Sequence, residues 1–351
     1  MNALNTALQQ TAAKETILSL PYQLKAQLPL THTLAVQIAE QRQIIQNILE
    51  GTDDRLLVIT GPCSIHDPQS ALEYAEKIKQ LQAQISDQIF LVMRAYIEKP
   101  RTTVGWKGYM YDPNLDGSGD MQLGLEKSRE LYLQIIEMGL PIASEILSPM
   151  ATAYFDDLLA WGAIGARTSE SQIHREISSH MPYSIGFKNG TDGSIQIALD
   201  AIQSASNAHQ FMGMGQNGLP SILSSQGNPK AHLILRGSNS GPNYHLAEIE
   251  KIKAKAKGEF PALVIDCSHG NSSKNPQLQP EVLRTIAAER HLSHVRGVML
   301  ESHLVDGAQK ISGEMTYGQS VTDGCLGWEK TQQLLLDTAE LLTSAQLQRS
   351  A

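Results

Sequence analysis

The chain has 351 residues, 41% hydrophobic and 18% charged, which is a globular composition long enough for one large domain or two small ones. A formal net charge of −8 argues against nucleic acid as a partner, because a phosphate backbone needs a basic surface, but it leaves anionic small substrates open. The chain lacks an apolar run near ~20 residues, a secretory signal pattern and enough cysteines for a disulfide scaffold, so it is predicted to be cytoplasmic with no membrane partner.

Residues 1–50 form a predicted N-terminal helical extension without glycine. Its apolar residues Leu34, Ile38 and Ile45 recur at roughly helical spacing, and Gly51 is a typical helix stop. A helix packed on the main body is the simpler interpretation of this segment. A regulatory or assembly role is the alternative.

From residue 51 to residue 351, short apolar runs alternate with amphipathic stretches. Continuous apolar runs of this kind are typical of strands buried on both faces. The eight predicted strands cover residues 56–60, 90–94, 142–145, 163–167, 184–188, 232–236, 262–267 and 297–301. Eight strand–helix units predict an α/β fold, a (β/α)8 TIM barrel, over 51–351. A doubly wound open sheet is the alternative, but GPCSIHD after the first strand is not the glycine-rich fingerprint that such sheets usually carry.

Some residues predict where individual helices begin and end. Asp67 before Pro68 is typical of a helix start, with Asp as the N-cap and Pro at the first helical position. Gly139 is predicted to end one later helix, and Gly162 the helix that contains Phe155.

One segment departs from the strand–helix alternation. Within residues 211–225, Asn217-Gly218 separates two apolar stretches, as in a tight β-turn. The sequence therefore predicts a β-hairpin inserted into the barrel near residues 210–225.

Ionisable residues end most of the predicted strands. Six of them are the final residues of their runs: Arg94, Glu145, Arg167, Lys188, Arg236 and Glu301. Active sites of such barrels lie at the carboxyl ends of the strands, so these side chains are expected to meet at one rim. Four long cations on one concave surface repel one another unless anions bind there. The rim is therefore predicted to bind phosphate or carboxylate groups.

A second group of cations follows the second predicted strand, in the tetrapeptide Lys99-Pro100-Arg101-Thr102. Pro100 stiffens this backbone, and Arg101 with the Thr102 hydroxyl is suited to hold another phosphate. The glycine-rich loop that follows, TTVGWKGYMYDPNLDGSGD, has the length of an active-site loop.

Four potential metal ligands follow the first, seventh and eighth predicted strands: Cys63, His269, Glu301 and Asp323. Closure of a barrel places its first and last strands side by side, so these residues are able to meet. A thiolate, an imidazole and two carboxylates suit Mn²⁺, Fe²⁺, Co²⁺ or Zn²⁺ without selecting among them. Spacing alone leaves the alternatives open, because a lone Cys is more often a buried apolar residue and a lone Asp a turn residue.

Several blocks of the sequence resemble the class I 3-deoxy-D-arabino-heptulosonate 7-phosphate (DAHP) synthases. In chain order they are VITGPCSIHD, LVMRAYIEKPRTTVGWKG, AIGARTSESQIHRE, GFKNGTDG, HLILRG, DCSHGNSSK, GVMLESHL and SVTDGCLGW. The resemblance extends from about residue 20 to the C-terminus. It implies a transferase of the shikimate pathway that joins phosphoenolpyruvate, erythrose 4-phosphate and water to give DAHP and phosphate.

The resemblance also implies roles for individual residues. Phosphoenolpyruvate would be held by Arg94, Lys99, Ala166, Arg167, Lys188 and Arg236, with Glu145 nearby. Erythrose 4-phosphate would be held by Lys99, Pro100, Arg101 and Thr102, and one divalent metal ion by Cys63, His269, Glu301 and Asp323. The predicted catalytic residues, which would manage charge and protons, are Lys99, Lys188, Glu145 and Asp323.

Two other functions remain alternatives. A related synthase that uses arabinose 5-phosphate would share the barrel, although KPRTTVGWKG and the N-terminal extension favour the heptulosonate enzyme. A non-catalytic sugar-phosphate sensor on the same scaffold is disfavoured by the four candidate metal ligands.

Regulation is a further implication of the resemblance. Relatives are often tetramers inhibited by one aromatic amino acid, bound near the extension and the hairpin, so an aromatic effector and a homo-oligomer (dimer or tetramer) are expected. Pro182 and Gly213 lie at positions that help to choose the effector. Their identities here favour tyrosine or tryptophan over phenylalanine.

Overall fold

The computed structural model describes residues 15–255 and 260–350. The first fourteen residues of the predicted N-terminal extension therefore lie outside the described residues. Among the described helices, none is long and apolar enough to cross a membrane.

Within residues 15–55, two helices precede the first strand: α1 (Pro21–Gln27) and α2 (His32–Glu50). The Thr31 side chain caps the start of α2, and Gly51 ends it with a left-handed backbone at φ 79°. The predicted helix and its stop are thus confirmed. Leu24 of α1 is buried in the core, so the described part of the extension packs on the main body. Its regulatory role stays a prediction.

The described strands follow one another along the whole chain. In order they are β1 (Leu56–Gly61), β2 (Ile89–Arg94), β3 (Ile142–Glu145), β4 (Trp161–Ile164), β5 (Ser184–Lys188), β6 (Gln210–Met214), β7 (Pro220–Ser224), β8 (Ala231–Leu235), β9 (Leu263–Asp266), β10 (Val295–His303), β11 (Val305–Ala308), β12 (Gln319–Ser320) and β13 (Leu326–Gly327).

Eight of these strands close into a parallel barrel. The order β1-β2-β3-β4-β5-β8-β9-β10 is completed by pairing of β10 with β1, in which Gly61 lies opposite Glu301. The strands are buried on both faces, which explains their continuous apolar runs. The predicted (β/α)8 fold is confirmed.

The remaining described helices surround the barrel. They are α3 (Pro68–Ile85), α4 (Met121–Glu137), α5 (Thr152–Phe155), α6 (Gln172–His180), α7 (Gln196–Ala205), α8 (Leu246–Lys255), α9 (Gln279–Glu289) and α10 (Trp328–Ser350). Short 3-10 segments flank α9 at Pro276–Leu278 and Arg290–Leu292.

Two of the three predicted helix boundaries are confirmed. The Asp67 carboxylate accepts from the backbone N–H groups at the start of α3, and Gly139 follows α4 with φ 91°. The prediction for Gly162 is wrong, because this glycine lies inside β4 and the helix containing Phe155 is a single turn. A Cβ at position 162 would approach the Tyr183 ring to 3.0 Å, so close packing explains the glycine.

Two predicted strand ends are displaced by more than one residue. β4 ends at Ile164, and the backbone then turns, with the N–H groups of Thr168 and Ser169 both donating to Gly165 O. Arg167 therefore lies in a turn beyond the strand rather than on it. Glu301, in contrast, lies inside β10 because that strand continues for two more residues.

The inserted hairpin is confirmed as the antiparallel pair β6–β7. Its turn is closed by a hydrogen bond from Gly215 N to Leu219 O, and Gly218 adopts φ 75°, as expected for an Asn-Gly turn. Met212 and Ile222 lie opposite each other on the hairpin and are 84% and 80% exposed.

Candidate active site

The described residues line two large cavities at opposite ends of the barrel. One, of about 660 Å³, is lined by residues that precede strands, among them Arg55, Gln88 and His294. The other, of about 520 Å³, opens at the carboxyl ends of the strands and is called here the C-terminal cavity. Its lining includes Arg94, Lys99, Pro100, Arg101, Thr102, Glu145, Ala166, Arg167, Lys188, Arg236, His269, Glu301 and Asp323. Every predicted site residue except Cys63 thus lines one cavity.

Arg94 is fixed at the floor of the C-terminal cavity. Its guanidinium group donates to the carbonyl oxygens of Pro62 and Cys63 and to Glu301 Oε1 at 3.0, 2.9 and 3.1 Å. The group also lies 3.7 Å from the centre of the Tyr96 ring. Burial opposes its charge, but Tyr96 and Glu301 outweigh that effect and raise the pKa of Arg94. Arg94 is therefore a permanently charged, rigid donor.

Lys99 bridges two predicted metal ligands. Its ammonium nitrogen Nζ lies 2.9 Å from Cys63 Sγ and 2.7 Å from Asp323 Oδ2. Partial burial opposes ionisation of Asp323, but the Lys99 charge outweighs it and holds the pKa of that carboxyl well below its usual range. Burial raises the pKa of the Cys63 thiol, and the Glu301 carboxylate raises it further.

Three of the four predicted metal ligands form one cluster. Ligand atoms of Cys63, Glu301 and Asp323 all lie within 4.8 Å of one another. One sulfur and two carboxylate oxygens are donors that divalent transition ions accept, and the Lys99 ammonium between two of them shows that the group attracts a cation. The residues present therefore fit a metal ion.

His269, the fourth predicted ligand, lines the same cavity but is not part of this cluster. Its ring nitrogen Nδ1 lies 2.9 Å from Asp266 Oδ2 and 2.7 Å from Ser268 Oγ. These contacts orient the imidazole and leave Nε2 as the nitrogen that would face a ligand or an ion.

Lys188 and Asp266 form a buried ion pair across the barrel. Lys188 Nζ donates to Asp266 Oδ2 at 2.7 Å, while the Ser268 N–H and hydroxyl donate to Asp266 Oδ1. Burial opposes the charge on Asp266, but His269 and Lys188 outweigh it and lower the pKa of this carboxyl. Asp266 thus joins the lysine of β5 to the imidazole that follows β9.

Arg167 and Arg236 differ from Arg94, Lys99 and Lys188 because neither guanidinium group makes a direct ion pair with a described residue. No hydrogen bond or ion pair joins either guanidinium group to another residue within 15–255 and 260–350. Burial lowers the pKa of Arg236, Asp266 opposes that effect, and the positive charge of Arg167, which lines the same cavity, lowers the pKa further. Two arginines without an ion-pair partner on one cavity wall have the chemistry that suits a divalent anion.

The loop that carries Arg101 and Thr102 borders the same cavity, with both residues exposed. Glu145 faces this loop from the end of β3. A Cβ at position 165 would collide with Glu145 Oε1, so Gly165 leaves room for that carboxylate. Ala166 lies between this glycine and Arg167.

Sequence reasoning missed or undervalued several residues. Asp266 lies within the seventh predicted strand, 262–267, and no local pattern indicates its buried pairing with Lys188. Tyr96 and Gln279 were not identified at all. Gln279 is fully buried and hydrogen-bonds to both the N–H and the carbonyl of Glu301, which holds that residue in place. The position of Tyr96 two residues after Arg94, in RAY, is the one sequence signal that pointed to it.

The segment after β9 carries backbone strain. His269, Ser273 and Lys274 have φ values of 53°, 51° and 61°, a region that non-glycine residues rarely adopt. Such strain concentrates at functional sites, where surrounding contacts hold it. Here it accompanies the turn that presents His269 to the C-terminal cavity.

The geometry agrees with what comparison of sequences finds. The sequence profile of the DAHP synthetase I family matches residues 33–336, which is most of the chain. The chain belongs to the DAHP synthetase I family. The match covers each of the predicted site residues.

Relatives in the family are similar over nearly their whole length. The Tyr-sensitive phospho-2-dehydro-3-deoxyheptonate aldolase of Escherichia coli (strain K12) is 48% identical over 328 residues, which is 92% of this chain and 92% of the relative. The Trp-sensitive phospho-2-dehydro-3-deoxyheptonate aldolase of Shigella flexneri is 45% identical over 333 residues, 93% and 95% of the two chains.

A solved structure shares the complete fold. The phospho-2-dehydro-3-deoxyheptonate aldolase of Francisella tularensis SCHU S4 superposes with a TM-score of 0.92 at 44% identity, covering 95% of this chain and 99% of the other. The barrel and its additions are therefore those of a DAHP synthetase I family member.

Proposed function

We propose that this chain is a 3-deoxy-7-phosphoheptulonate synthase, a transferase that condenses phosphoenolpyruvate with D-erythrose 4-phosphate and water to form DAHP and phosphate. One observation carries the proposal: arginines without an ion-pair partner line the same cavity as Glu301 and Asp323, the two carboxylates of the Cys63/Glu301/Asp323 cluster. Such a cavity suits two anionic substrates beside a cation. The relatives of this chain are named for the same activity, as phospho-2-dehydro-3-deoxyheptonate aldolases.

Phosphoenolpyruvate carries a phosphate and a carboxylate, and the cationic residues provide for both. Arg167 and Arg236 are free to bind a phosphate, with the Ala166 backbone beside them. Arg94 and Lys188 supply rigid positive charge deeper in the cavity. Held in this way, the substrate would present its C3 carbon toward the loop that begins at Lys99.

Erythrose 4-phosphate is assigned to the tetrapeptide Lys99-Pro100-Arg101-Thr102. Arg101 and Thr102 are exposed at the edge of the C-terminal cavity, where a phosphate would accept from the guanidinium group and the hydroxyl. The aldehyde at the other end of the sugar would then point toward the cluster of potential metal ligands.

Cys63, His269, Glu301 and Asp323 are the residues that would hold one divalent ion: Mn²⁺, Fe²⁺, Co²⁺ or Zn²⁺. When bound, such an ion supplies Lewis-acid stabilisation of charge on the aldehyde oxygen. The Lys99 ammonium competes for the same anionic atoms, which lie 2.9 and 2.7 Å from its nitrogen.

The reaction requires a carbon–carbon bond between C3 and the aldehyde carbon, addition of water at C2 and cleavage of the C2–O bond to phosphate. Glu145 and Lys188 are assigned to the proton of that water, because both line the same cavity as Arg167 and Arg236. Asp323 and Lys99 are assigned to the aldehyde oxygen. Asp266 keeps Lys188 oriented through their 2.7 Å contact.

The function is tested by measuring phosphate release from purified protein with added divalent metal. Phosphate should appear only when phosphoenolpyruvate and erythrose 4-phosphate are both present, and a chelator should abolish the reaction. Turnover with arabinose 5-phosphate instead would favour the related synthase. Binding of phosphoenolpyruvate without any phosphate release would favour the sensor.

We also propose feedback inhibition by one aromatic amino acid, with tyrosine as the first candidate because relatives named Tyr-sensitive reach 48% identity. Tryptophan is the second candidate, since a relative named Trp-sensitive reaches 45%. Initial rates with each of the three aromatic amino acids would identify the effector. If none of the three amino acids lowers the rate below that measured without an effector, the proposal is contradicted.

A homo-oligomer, dimer or tetramer, is part of the same proposal, together with a cytoplasmic location and an N-terminal extension (1–50) that serves regulation or assembly. The exposed apolar pair Met212 and Ile222 on the hairpin supports subunit contact there.

A further inference from the structure

Glu98 is a buried carboxyl group that none of the roles above uses. It is 4% exposed and lies directly before Lys99, the first residue of the tetrapeptide assigned to the sugar phosphate. Buried carboxyl groups are costly unless hydrogen bonds satisfy them. The partners of Glu98 therefore indicate why it is placed there.

Those partners belong to two separate segments. Glu98 Oε1 accepts from the Tyr111 hydroxyl at 3.3 Å, and Oε2 accepts from the backbone N–H of Ser148 at 3.2 Å. Tyr111 lies where the long loop after Lys99 returns to the body, and Ser148 follows β3. One carboxyl group thus connects both ends of the loop to the exit of the strand that carries Glu145.

Backbone hydrogen bonds next to Glu98 join the two ends of this loop. Lys99 N donates to Lys107 O at 2.8 Å, and Met110 N donates to Ile97 O at 3.1 Å. Gly108, at φ 115°, lies so close that a Cβ there would be 2.7 Å from the Cα of Glu98. The loop therefore emerges from a narrow neck, and the Glu98 side chain is one of the groups that join this neck to the segment after β3.

A small cavity of about 20 Å³ lies behind the neck, lined by Glu98, Glu145, Ser144 and Ser148 among others. Its volume is near that of one water molecule. Apolar side chains, among them Ile146 and Phe155, make up much of the remaining lining, so the neck is tightly packed around the Glu98 carboxyl. A shift of that carboxyl would be transmitted to Lys99 on one side and to the β3 exit on the other.

We propose that Glu98 is a positioning residue for the sugar phosphate: by joining Tyr111 to Ser148, it sets where Lys99, Arg101 and Thr102 stand over the C-terminal cavity. This inference rests on the proposed function. It assigns Glu98 no contact with either substrate, and it predicts that loss of the carboxylate affects the aldose more than phosphoenolpyruvate.

Protonation of the Glu98 carboxylate is expected to weaken its positioning of the loop. Burial raises the pKa of Glu98 to about 7; the hydrogen bond from Ser148 opposes that effect, and Glu145 raises the pKa further. The titratable groups that face Glu98 are Tyr111 from the loop, Glu145 from β3 and Tyr132 from α4. A protonated carboxyl resembles glutamine, so Glu98→Gln reproduces the acid form at every pH.

The test compares steady-state kinetics of wild type, Glu98→Gln and Tyr111→Phe with a matched control, Glu73→Gln. Glu73 makes an equivalent contact with a tyrosine, Tyr317 OH at 3.1 Å, but on the surface and away from the C-terminal cavity. We expect Glu98→Gln to raise KM for erythrose 4-phosphate about tenfold, with KM for phosphoenolpyruvate changed less than about twofold. Tyr111→Phe should act in the same direction and more weakly, and Glu73→Gln should match wild type.

A pH series adds a readout that a purely structural role would not give. The ratio of KM for the aldose between Glu98→Gln and wild type should fall toward one as the pH drops below about 7, because both proteins then carry a neutral group at position 98. The substrate phosphate titrates equally in both assays and cancels in the ratio.

Two results would overturn the inference: a folded Glu98→Gln with the kinetic constants of Glu73→Gln, or an equal rise of KM for both substrates. An inactive wild type would instead contradict the proposed function. If Glu98→Gln does not fold, the kinetics of Tyr111→Phe test the inference instead. Unchanged KM values for both substrates in Tyr111→Phe would then contradict it.

Discussion

At the scale of single residues, the same side-chain type has different surroundings in different parts of the C-terminal cavity. Arg94 is held by two carbonyl oxygens and Glu301, whereas Arg236 has no side-chain partner in the described chain. Partnered cations shape the cavity, and unpartnered ones are available to bind substrate. Sequence patterns predicted both Arg94 and Arg236 to bind anions. They did not distinguish the partnered arginine from the unpartnered one, because the partners of Arg94 are distant in the chain.

Arg236→Gln is predicted to damage substrate binding strongly. The substitution removes charge-assisted hydrogen bonds worth about 1.5–3 kcal/mol, so kcat/KM should fall roughly 10- to 100-fold. Steady-state kinetics with varied phosphoenolpyruvate measure this. Arg284→Gln is a control, since Arg284 is exposed and reaches only Asp337 at 4.0 Å. Equal kinetics for both variants would remove Arg236 from the site.

Cys63→Ser is predicted to lose bound metal, because a thiolate ligand is replaced by a weakly acidic hydroxyl. Elemental analysis after dialysis against a divalent ion should show about one ion per chain in wild type and far less in the variant. Cys325→Ser is the matched control: Cys325 is equally buried, and its sulfur lies 3.4 Å from Cys63 N, but it is outside the ligand cluster. Full metal retention by Cys63→Ser would contradict its assignment.

Glu98 also predicts a pH dependence of stability. Since folding raises its pKa to about 7, the folded protein holds the proton more tightly than the unfolded chain does. Between the ordinary pKa of a glutamate and about 7, the unfolded chain loses this proton while the folded protein keeps it. The free energy of unfolding of wild type therefore falls as the pH rises through this range, by at most about 1.4 kcal/mol per pH unit. Glu98→Gln does not show this fall, so its free energy of unfolding relative to wild type should increase over that window and level off above it. Denaturant titrations at several pH values measure the difference, and a constant difference would contradict the prediction.

At the scale of elements, local sequence patterns predicted most helices and strands. The cap at Asp67, the stop at Gly139 and the Asn217-Gly218 turn act through their immediate neighbours, so the sequence is sufficient to identify them. Gly162 misled the prediction because its small size serves packing against Tyr183 rather than helix termination. Contacts of that kind depend on a neighbouring strand and have no local signature.

Asp67→Ala is predicted to lower the free energy of unfolding by about 1 kcal/mol. The Asp67 carboxylate accepts from Gln69 N and Ser70 N, and alanine leaves both N–H groups without that partner. Urea denaturation measures the change. Glu76→Ala, at a half-exposed position of the same helix, controls for loss of an acidic side chain and should alter stability by less than about 0.5 kcal/mol.

At the scale of the whole molecule, closure of the barrel is what makes a site. Pairing of β1 with β10 brings Cys63 and Glu301 together, although they lie 238 positions apart in the chain. The expectation that strand ends converge is confirmed for the cavity as a whole. His269 lines the cavity without joining the ligand cluster, and this detail was beyond the reach of spacing arguments.

The hairpin is predicted to form a subunit contact. The double variant Met212→Ser/Ile222→Ser should shift the protein to a smaller species in light scattering coupled to size-exclusion chromatography. Its thermal stability as a monomer should be unaffected, because both side chains are about four-fifths exposed or more in the single chain. Ser221→Ala, on the same strand, is a control. A wild type that is monomeric at all concentrations would contradict the prediction.

The sequence by itself determined the alternation of elements, the caps and turns, and which residue types stand at the strand ends, because these depend on interactions within a few residues along the chain. Only the tertiary structure decided which charges are paired, as Lys188 is with Asp266, and which have no ion-pair partner among the described residues, as is the case for Arg167 and Arg236. Those pairings follow from distances across a closed barrel. Electrostatic energy depends on distance in space, so no pattern along the chain is able to fix them.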